Sequence, residues 1–241
     1  MQLHIHKDVD ELSEELAKWI VELIDQTLQS KDRFTIALSG GNTPRSLYEK
    51  LAKSPYIKKI PWKKMHFFWG DERAVPFSDE RNNAKMAFDT LLNKVDVPAE
   101  NIHVMQTDIP LQESVEAYEA VLHRYFENTE TSFDLVLLGM GADGHTLSLF
   151  PGSPVLNDQH NWVIAVYAND QKMYRITLMP AIVNRAAAIA FLVSGVDKSK
   201  TLQEVLKGKY LPETYPSQLI HPLNKQLHWF IDEAAAGDLI S

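Results

Sequence analysis

Apolar and polar residues form two patterns along this chain: short apolar runs and longer amphipathic stretches. The stretch over residues 8–29 has apolar side chains at helical spacing and begins at Asp8, a suitable N-cap, so it predicts a helix. Shorter helical patterns follow at 47–51, 82–92, 115–126, 202–206 and 232–236. The apolar runs predict strands at 33–38, 65–69, 102–105, 134–138, 162–167, 174–178, 187–193 and 227–231.

The order of these elements predicts the fold class. Strand and helix patterns alternate, which favours an α/β fold with a mostly parallel, doubly wound, Rossmann-like sheet and helices on both faces. The run from Leu135 to Leu138 is apolar without alternation, which is typical of a strand buried on both faces of such a sheet. No internal repeat, low-complexity segment or long linker interrupts the pattern, so we expect one domain over residues 1–241.

Composition narrows the class of partner. The 241 residues are 45% hydrophobic with a net charge of −8, which suits a globular protein and disfavours a nucleic-acid or anionic-membrane partner. The absence of cysteine excludes disulfides, a thiol nucleophile and thiolate metal sites. The N-terminal residues lack the pattern of a secretion signal, and no apolar run approaches the roughly 20 residues of a membrane span. We therefore expect a soluble cytoplasmic protein, in which a local basic pocket would suffice for an anionic small molecule.

A glycine-rich loop follows the apolar run at 135–138. Residues 139–144 satisfy the pattern G-x-G-x-x-G, which by itself would suggest a dinucleotide cofactor. In dinucleotide-binding folds, however, the third glycine lies in a helix of several turns, whereas Pro151, Gly152 and Pro154 interrupt any helix here. The motif is also central in the chain rather than in its first strand–helix unit. A nicotinamide or flavin cofactor is therefore disfavoured.

The same loop carries the best candidate for a general base. Imidazole titrates near pH 6.5, so His145 can take a proton from water at neutral pH, and Asp143 can orient it. The alternative is a loop histidine that only satisfies backbone groups. The glycines around Asp143 and the position after a strand favour a functional role, because binding and catalysis concentrate on loops held by a rigid scaffold.

A second loop, Ser39-Gly40-Gly41-Asn42-Thr43-Pro44, joins a predicted strand to a predicted helix. Small residues there can bring backbone N–H groups and the helix dipole to a phosphate. A tight turn with Thr43 as N-cap and Pro44 at the first helical position fits equally well.

The remaining charged candidates also lie near predicted strand ends. Asp71, Glu72 and Arg73 follow an aromatic strand, where Arg73 can stabilise an oxyanion or hold a phosphate; a salt-bridged turn is the alternative. Arg175 and Lys198 can form a phosphate clamp or be surface cations. The histidines are scattered, with no H-E-x-x-H pair, so no metal site is indicated.

Taken together and in this order, the motifs resemble the 6-phosphogluconolactonase family (glucosamine-6-phosphate isomerase/6-phosphogluconolactonase), which belongs to the sugar-phosphate isomerase/deaminase-like superfamily. The resemblance covers nearly the whole chain. Five segments carry it: 37–44, 70–76, 139–152, 175–178 and 229–235.

The resemblance implies an enzyme that hydrolyses 6-phospho-D-glucono-1,5-lactone to 6-phospho-D-gluconate, the second step of the oxidative pentose phosphate pathway, without a metal or organic cofactor. His145 would activate the attacking water, and Asp143 would orient His145. Arg73 is the first candidate to stabilise the oxyanion, and backbone N–H groups are the second. The residues implied for the substrate phosphate are Ser39, Gly40, Gly41, Thr43, Arg175 and Lys198. A monomer is favoured.

Other members of the superfamily provide the alternatives. Glucosamine-6-phosphate deaminases typically have Asp-Glu-Tyr in place of Asp71-Glu72-Arg73 and Phe-Asn-Glu-Pro in place of residues 148–151, so both differences favour the lactonase. A non-catalytic sugar-phosphate sensor could lose the base, which this chain retains at His145. Asn83 matches the asparagine of the family's Ser-Asn pair, and Asn82 replaces the serine. Asp71, Glu72 and Asn83 are further site candidates, of which Asp71 and Glu72 either act directly or only position loops.

Overall fold

Nine strands and eight α-helices make up the computed structural model of this chain, which describes residues 1–240. The strands are β1 (Gln2–His6), β2 (Phe34–Leu38), β3 (Met65–Trp69), β4 (Asp71–Arg73), β5 (Leu135–Gly139), β6 (Val163–Ala168), β7 (Met173–Leu178), β8 (Ile189–Val193) and β9 (Leu227–Asp232). The helices are α1 (Val9–Thr27), α2 (Asn42–Leu51), α3 (Tyr56–Lys59), α4 (Asn83–Thr90), α5 (Leu111–Phe126), α6 (Pro180–Val183), α7 (Ser199–Lys207) and α8 (Glu233–Ala236).

Six of the strands form one parallel sheet in the order β1-β9-β8-β5-β2-β3. From β2 the chain moves outward to β3 and then returns to β5 on the other side of β2. The strand order therefore reverses between β2 and β5, and doubly wound sheets bind ligands in the crevice beyond the carboxyl ends of such a pair. The predicted α/β class is confirmed.

Two hydrophobic layers cover the sheet, one on each face. Along β5, Leu135 and Leu137 pack into the layer that contains α1, α2 and α4. Val136 and Leu138 pack into the opposite layer with α5, α6 and α7. Both faces of β5 are therefore covered, as the uninterrupted apolar sequence from 135 to 138 predicted.

A second sheet, of three antiparallel strands in the order β4-β7-β6, lies beside the main one. The sequence predicted β6 and β7 but placed the charged triplet 71–73 in a loop. The triplet is instead strand β4, which pairs with the middle of β7 in the register Asp71↔Thr177 to Arg73↔Arg175. The pattern missed β4 because Asp71 and Glu72 are buried although they are charged.

Other differences from the sequence expectations are local. The strand predicted at 102–105 is wrong: this segment forms one isolated bridge, between Ile102 and Phe67. The edge strand β1 was not predicted. The remaining predicted helices and strands are confirmed with small shifts of their ends, including α1 with Asp8 as N-cap, whose side chain accepts the Glu11 N–H. Within residues 1–240, no helix combines the length and apolar character needed to cross a membrane.

Candidate active site

A cleft of about 270 Å³ opens at the carboxyl edge of the main sheet, above the crevice between β2 and β5. Nine of the predicted site residues line it: Ser39, Gly40, Gly41, Asp71, Arg73, Asn83, His145, Arg175 and Lys198. The other three, Thr43, Glu72 and Asp143, do not line the cleft. Glu72 and Asp143 bond to residues that do, and Thr43 contacts Ser194. The structure therefore brings together loops that are far apart in the sequence.

His145 and Asp143 form a hydrogen-bonded pair in the loop after β5. The Nδ1 atom of His145 lies 2.6 Å from Oδ1 of Asp143, and the same oxygen accepts the backbone N–H of His145 at 3.1 Å. A Cβ atom on Gly141 would lie 2.1 Å from this Nδ1 atom, so glycine is required there. Gly144 adopts a φ of +84°, which turns the chain between the two polar residues.

The pair is arranged to leave one imidazole nitrogen available. Burial raises the pKa of Asp143, but the hydrogen bond and charge of His145 lower it more, so the net pKa is below its usual value. A carboxylate at Nδ1 favours the tautomer with its proton on Nδ1. Nε2 makes no hydrogen bond within the described residues, and His145 borders both the cleft and a neighbouring cavity of about 640 Å³. Nε2 can therefore accept a proton from a water molecule.

The loop after β2 leads directly into α2. The helix begins at Asn42 with Gly41 as N-cap (φ +105°), and no side chain caps its first N–H groups. The expected turn with Thr43 as N-cap is thus wrong: Thr43 lies in the first helical turn, and its Oγ1 is 2.7 Å from Oγ of Ser194. Uncapped N–H groups at a helix N-terminus favour an anion.

A buried tyrosine that the sequence did not mark as functional supports this loop. The hydroxyl of Tyr48 donates to the carbonyl oxygen of Ser39 at 2.8 Å and accepts the Ser39 N–H at 2.9 Å. Tyr48 is fully buried, and burial raises the pKa of its hydroxyl. Tyr48 falls within the helical pattern predicted at 47–51, and a buried tyrosine hydroxyl usually needs a partner, but nothing in the sequence names that partner.

Glu72 organises the start of α4. Its Oε1 accepts the N–H groups of Arg73 and Asn83, and its Oε2 accepts that of Ala84, each at 2.7 Å. The side chain is fully buried, and burial raises its pKa to about 7 despite these three donors. Glu72 therefore fixes the backbone of two cleft residues without lining the cleft.

The guanidinium of Arg73 is held at the cleft by polar groups. Its Nη1 donates to Oδ1 of Asn83 at 2.6 Å and to the carbonyl of Arg81 at 2.8 Å, while Nδ2 of Asn83 donates to the carbonyl of Asp71 at 2.9 Å. A Cβ atom on Gly40 would lie 1.9 Å from Oδ1 of Asn83. Gly40 of the candidate phosphate loop therefore packs directly against Asn83, the residue that holds Arg73.

Arg175 and Asp71 form a buried ion pair. Nη1 of Arg175 lies 3.2 Å from Oδ2 of Asp71, which also accepts Oγ–H of Ser148 at 2.7 Å. Arg175 also donates to the side chain of Gln171, a cleft residue that the sequence did not mark. Burial lowers the pKa of Arg175. The sequence placed Arg175 at a strand end or on the surface; it is instead buried in the middle of β7.

Two further candidates have simple environments. Lys198 ends a short 3₁₀ helix, Val196–Lys198, and its Nζ lies 3.1 Å from Oδ2 of Asp197. Asn82 is the N-cap of α4, where its Oδ1 accepts the Lys85 N–H at 2.8 Å. Since serine and asparagine are both strong N-caps, Asn82 can do there what a serine would do.

The charges at the cleft favour an anionic ligand. Three cationic side chains border it, Arg73, Arg175 and Lys198, against the single carboxylate of Asp71. In the described part of the chain, no group of three or more His, Cys, Asp or Glu side chains is arranged to hold a metal ion. The chemistry available here is that of an imidazole base, fixed cations and backbone N–H groups.

Comparisons with known proteins show which proteins this chain resembles in sequence and in fold. The family model described as "Glucosamine-6-phosphate isomerases/6-phosphogluconolactonase" matches residues 7–229. A protein from Synechocystis sp. named 6-phosphogluconolactonase is 38% identical over 90% of this chain and 89% of its own length. The crystal structure of 6-phosphogluconolactonase from Thermotoga maritima superposes with a TM-score of 0.83 at 28% identity, covering 96% of this chain and 99% of that one. A monomeric glucosamine-6-phosphate deaminase, at 20% identity, shares the fold with a TM-score of 0.85 over 98% and 99% of the two chains.

Proposed function

The chain belongs to the glucosamine-6-phosphate isomerase/6-phosphogluconolactonase family, and on that premise we propose that it hydrolyses 6-phospho-D-glucono-1,5-lactone to 6-phospho-D-gluconate, the second step of the oxidative pentose phosphate pathway. The observation that carries this proposal is the contact of His145 with Asp143 beside a cleft bordered by three cations. A base next to an anion site suits hydrolysis of a phosphorylated ester. The cytoplasmic location and the monomeric state of the protein remain predictions.

Water attack would begin at His145. Nε2 accepts a proton from water as the water oxygen bonds to the lactone carbonyl carbon, and Asp143 stabilises the imidazolium that forms. The tetrahedral intermediate then collapses: the bond from this carbon to the ring oxygen breaks, and the imidazolium returns its proton to that oxygen. The products are the open-chain hydroxyl and a carboxylic acid, which ionises.

The negative charges of the reaction would be matched by separate groups. Arg73, held by Asn83, would stabilise the oxyanion of the intermediate. The substrate phosphate would lie on the backbone of Ser39, Gly40 and Gly41 at the N-terminus of α2.

Thr43 would contribute its backbone N–H to the phosphate, because its hydroxyl contacts Ser194. Arg175 and Lys198 would complete the phosphate site. In this assignment Asp71 and Glu72 act by positioning: Asp71 holds Arg175, and Glu72 holds the segment that carries Arg73.

The decisive experiment measures two activities on one preparation. We expect fast hydrolysis of freshly generated 6-phosphogluconolactone above its spontaneous rate, and no ammonia release from glucosamine 6-phosphate. Ammonia release without lactone hydrolysis would move the assignment to the deaminase. Phosphosugar binding without turnover of either substrate would support a sensor instead.

A further inference from the structure

Strands β2 and β5 separate at the carboxyl edge of the sheet. Their paired residues end with Ala37 opposite Val136, although β2 continues to Leu38. The carbonyl of Thr35 accepts the N–H of Asp134, so alternate residues of β2 direct their backbone groups towards β5. Ser39 has the same parity as Thr35 and faces the gap that opens between the strands.

The hydroxyl of Tyr48 replaces the missing strand neighbour of Ser39. It bonds both the N–H and the C=O of this one residue, at 2.9 and 2.8 Å. Tyr48 belongs to α2, whereas Ser39 directly follows β2. The two bonds therefore tie the helix to the end of the strand, across the short loop that contains Gly40 and Gly41.

We infer that Tyr48 is a positioning residue that fixes the loop at residues 39–41 and the N-terminus of α2 for the substrate phosphate. This inference rests on the proposed function, because it takes the 39–41 loop to be the phosphate site. Gly40 and Gly41 have no side chains to anchor them, and Gly41 has a φ of +105°. Without the Tyr48 hydroxyl, the N–H and C=O of Ser39, which are only partly exposed, would have no other partner in the described contacts, and the loop would rearrange so that they reach water.

The chain contains a matched control for this role. Tyr118, on α5, is also buried, and its hydroxyl makes the same two bonds to Trp69: it accepts the N–H at 2.8 Å and donates to the carbonyl at 3.0 Å. Trp69 ends β3, on the outer edge of the sheet, and is followed by the segment that carries Asp71. The Tyr118 hydroxyl bonds Trp69 and not the 39–41 loop, so Tyr118→Phe removes the same chemistry as Tyr48→Phe without removing a bond to that loop.

The test compares these two variants by the dissociation constant of inorganic phosphate and by KM and kcat for the lactone. We expect both variants to unfold at lower temperatures than the wild type. Tyr48→Phe should weaken phosphate binding and raise KM, each by about tenfold, with a much smaller change in kcat. Tyr118→Phe should keep the affinity for phosphate within about twofold of the wild type. Equal losses of phosphate affinity in both variants, or no loss in Tyr48→Phe, would overturn the inference.

The wild-type protein separates this inference from the proposed function. If it does not hydrolyse the lactone, the proposed function fails whatever the variants do; if it does and Tyr48→Phe keeps its phosphate affinity, only the positioning role fails. Should Tyr48→Phe not fold, hydrogen exchange of the wild-type chain provides the test. We expect a protected Ser39 amide that becomes more protected when phosphate is added, and rapid exchange in both conditions would contradict the inference.

Discussion

The carboxylate of Asp143 binds His145 twice through one oxygen: Oδ1 lies 2.6 Å from the ring atom Nδ1 and 3.1 Å from the backbone nitrogen. The side-chain contact sets the orientation of the imidazole, and the backbone contact sets the turn that carries it. Gly141 leaves the space that the ring occupies. Removing either member of the pair should therefore lower the rate of the base-catalysed step more than it weakens binding of the substrate.

Replacing His145 tests the base itself. We expect His145→Ala to lower kcat by about a thousandfold or more, because general-base and nucleophile-activating groups act in the transition state, and to change KM by less than about threefold. Steady-state hydrolysis of 6-phosphogluconolactone and the affinity for inorganic phosphate measure the two effects. A kcat close to that of the wild type would reject His145 as the base.

Asp143→Asn tests orientation. An asparagine amide can accept from Nδ1 or donate to it, and donation would leave the proton on Nε2, the wrong nitrogen for a base. We expect kcat to fall about a hundredfold or more with little change in KM, by analogy with triads in which the carboxylate orients histidine. Retention of full kcat would show that the 2.6 Å contact is not needed for catalysis.

Gly40→Ala tests the contact between the phosphate loop and the arginine site. The new Cβ would lie 1.9 Å from Oδ1 of Asn83, so Asn83 would have to leave Arg73. We expect the activity of the single variant to fall about tenfold or more, because the new methyl group displaces Asn83 from Arg73. In an Asn83→Ala background, where the clash is absent, Gly40→Ala should have an effect of less than about twofold. Equal effects in both backgrounds would exclude this coupling.

The main sheet could be predicted from the sequence, but part of the site could not. Uninterrupted apolar runs mark strands covered on both faces, and the loops after β2, β3 and β5 meet because parallel strands end at one edge. Strand β4 was missed because its side chains are charged and their partners are distant in sequence: Asp71 pairs with Arg175, and Glu72 caps α4. Periodicity reports which side of an element is buried, not which polar group meets which.

The roles of Tyr48 and Gln171 show the same limit. The helical pattern at 47–51 includes Tyr48, but the bond from Tyr48 to the Ser39 backbone depends on the separation of β2 and β5. Gln171 lies between β6 and β7 and reaches Arg175 only because these strands form an antiparallel pair beside the cleft. Such contacts come from tertiary structure, so local sequence patterns do not contain them.

Asn82 provides a stability prediction with an internal control. Its side chain caps α4 by accepting the Lys85 N–H at 2.8 Å. We expect Asn82→Ala to lower the free energy of unfolding by about 1 kcal/mol and Asn82→Ser to change it by only a few tenths, because serine caps as well as asparagine. Urea unfolding of the three proteins measures this. If serine is as destabilising as alanine, the cap is not the role of Asn82.

Glu72 predicts how stability depends on pH. Burial raises its pKa from 4.5 to about 7 in the folded protein. Between these values the folded state keeps the proton and the unfolded state loses it, so the free energy of unfolding falls as the pH rises through this window, by about 3 kcal/mol in total. Below pH 4.5 and above pH 7 the contribution is constant.

Other titrating groups also change the stability with pH, so the contribution of Glu72 has to be measured as a difference between the wild type and a variant. Burial lowers the pKa of His103 and His228 to about 4, so these residues make stability rise with pH over part of the same window. Glu72→Gln resembles the protonated side chain and removes only the Glu72 contribution. We expect the free energy of unfolding of the wild type minus that of Glu72→Gln to fall steadily between pH 4.5 and 7, as measured by urea unfolding at several pH values. A difference that is constant or rises with pH would mean that Glu72 is ionised throughout this range, with its three backbone donors outweighing burial.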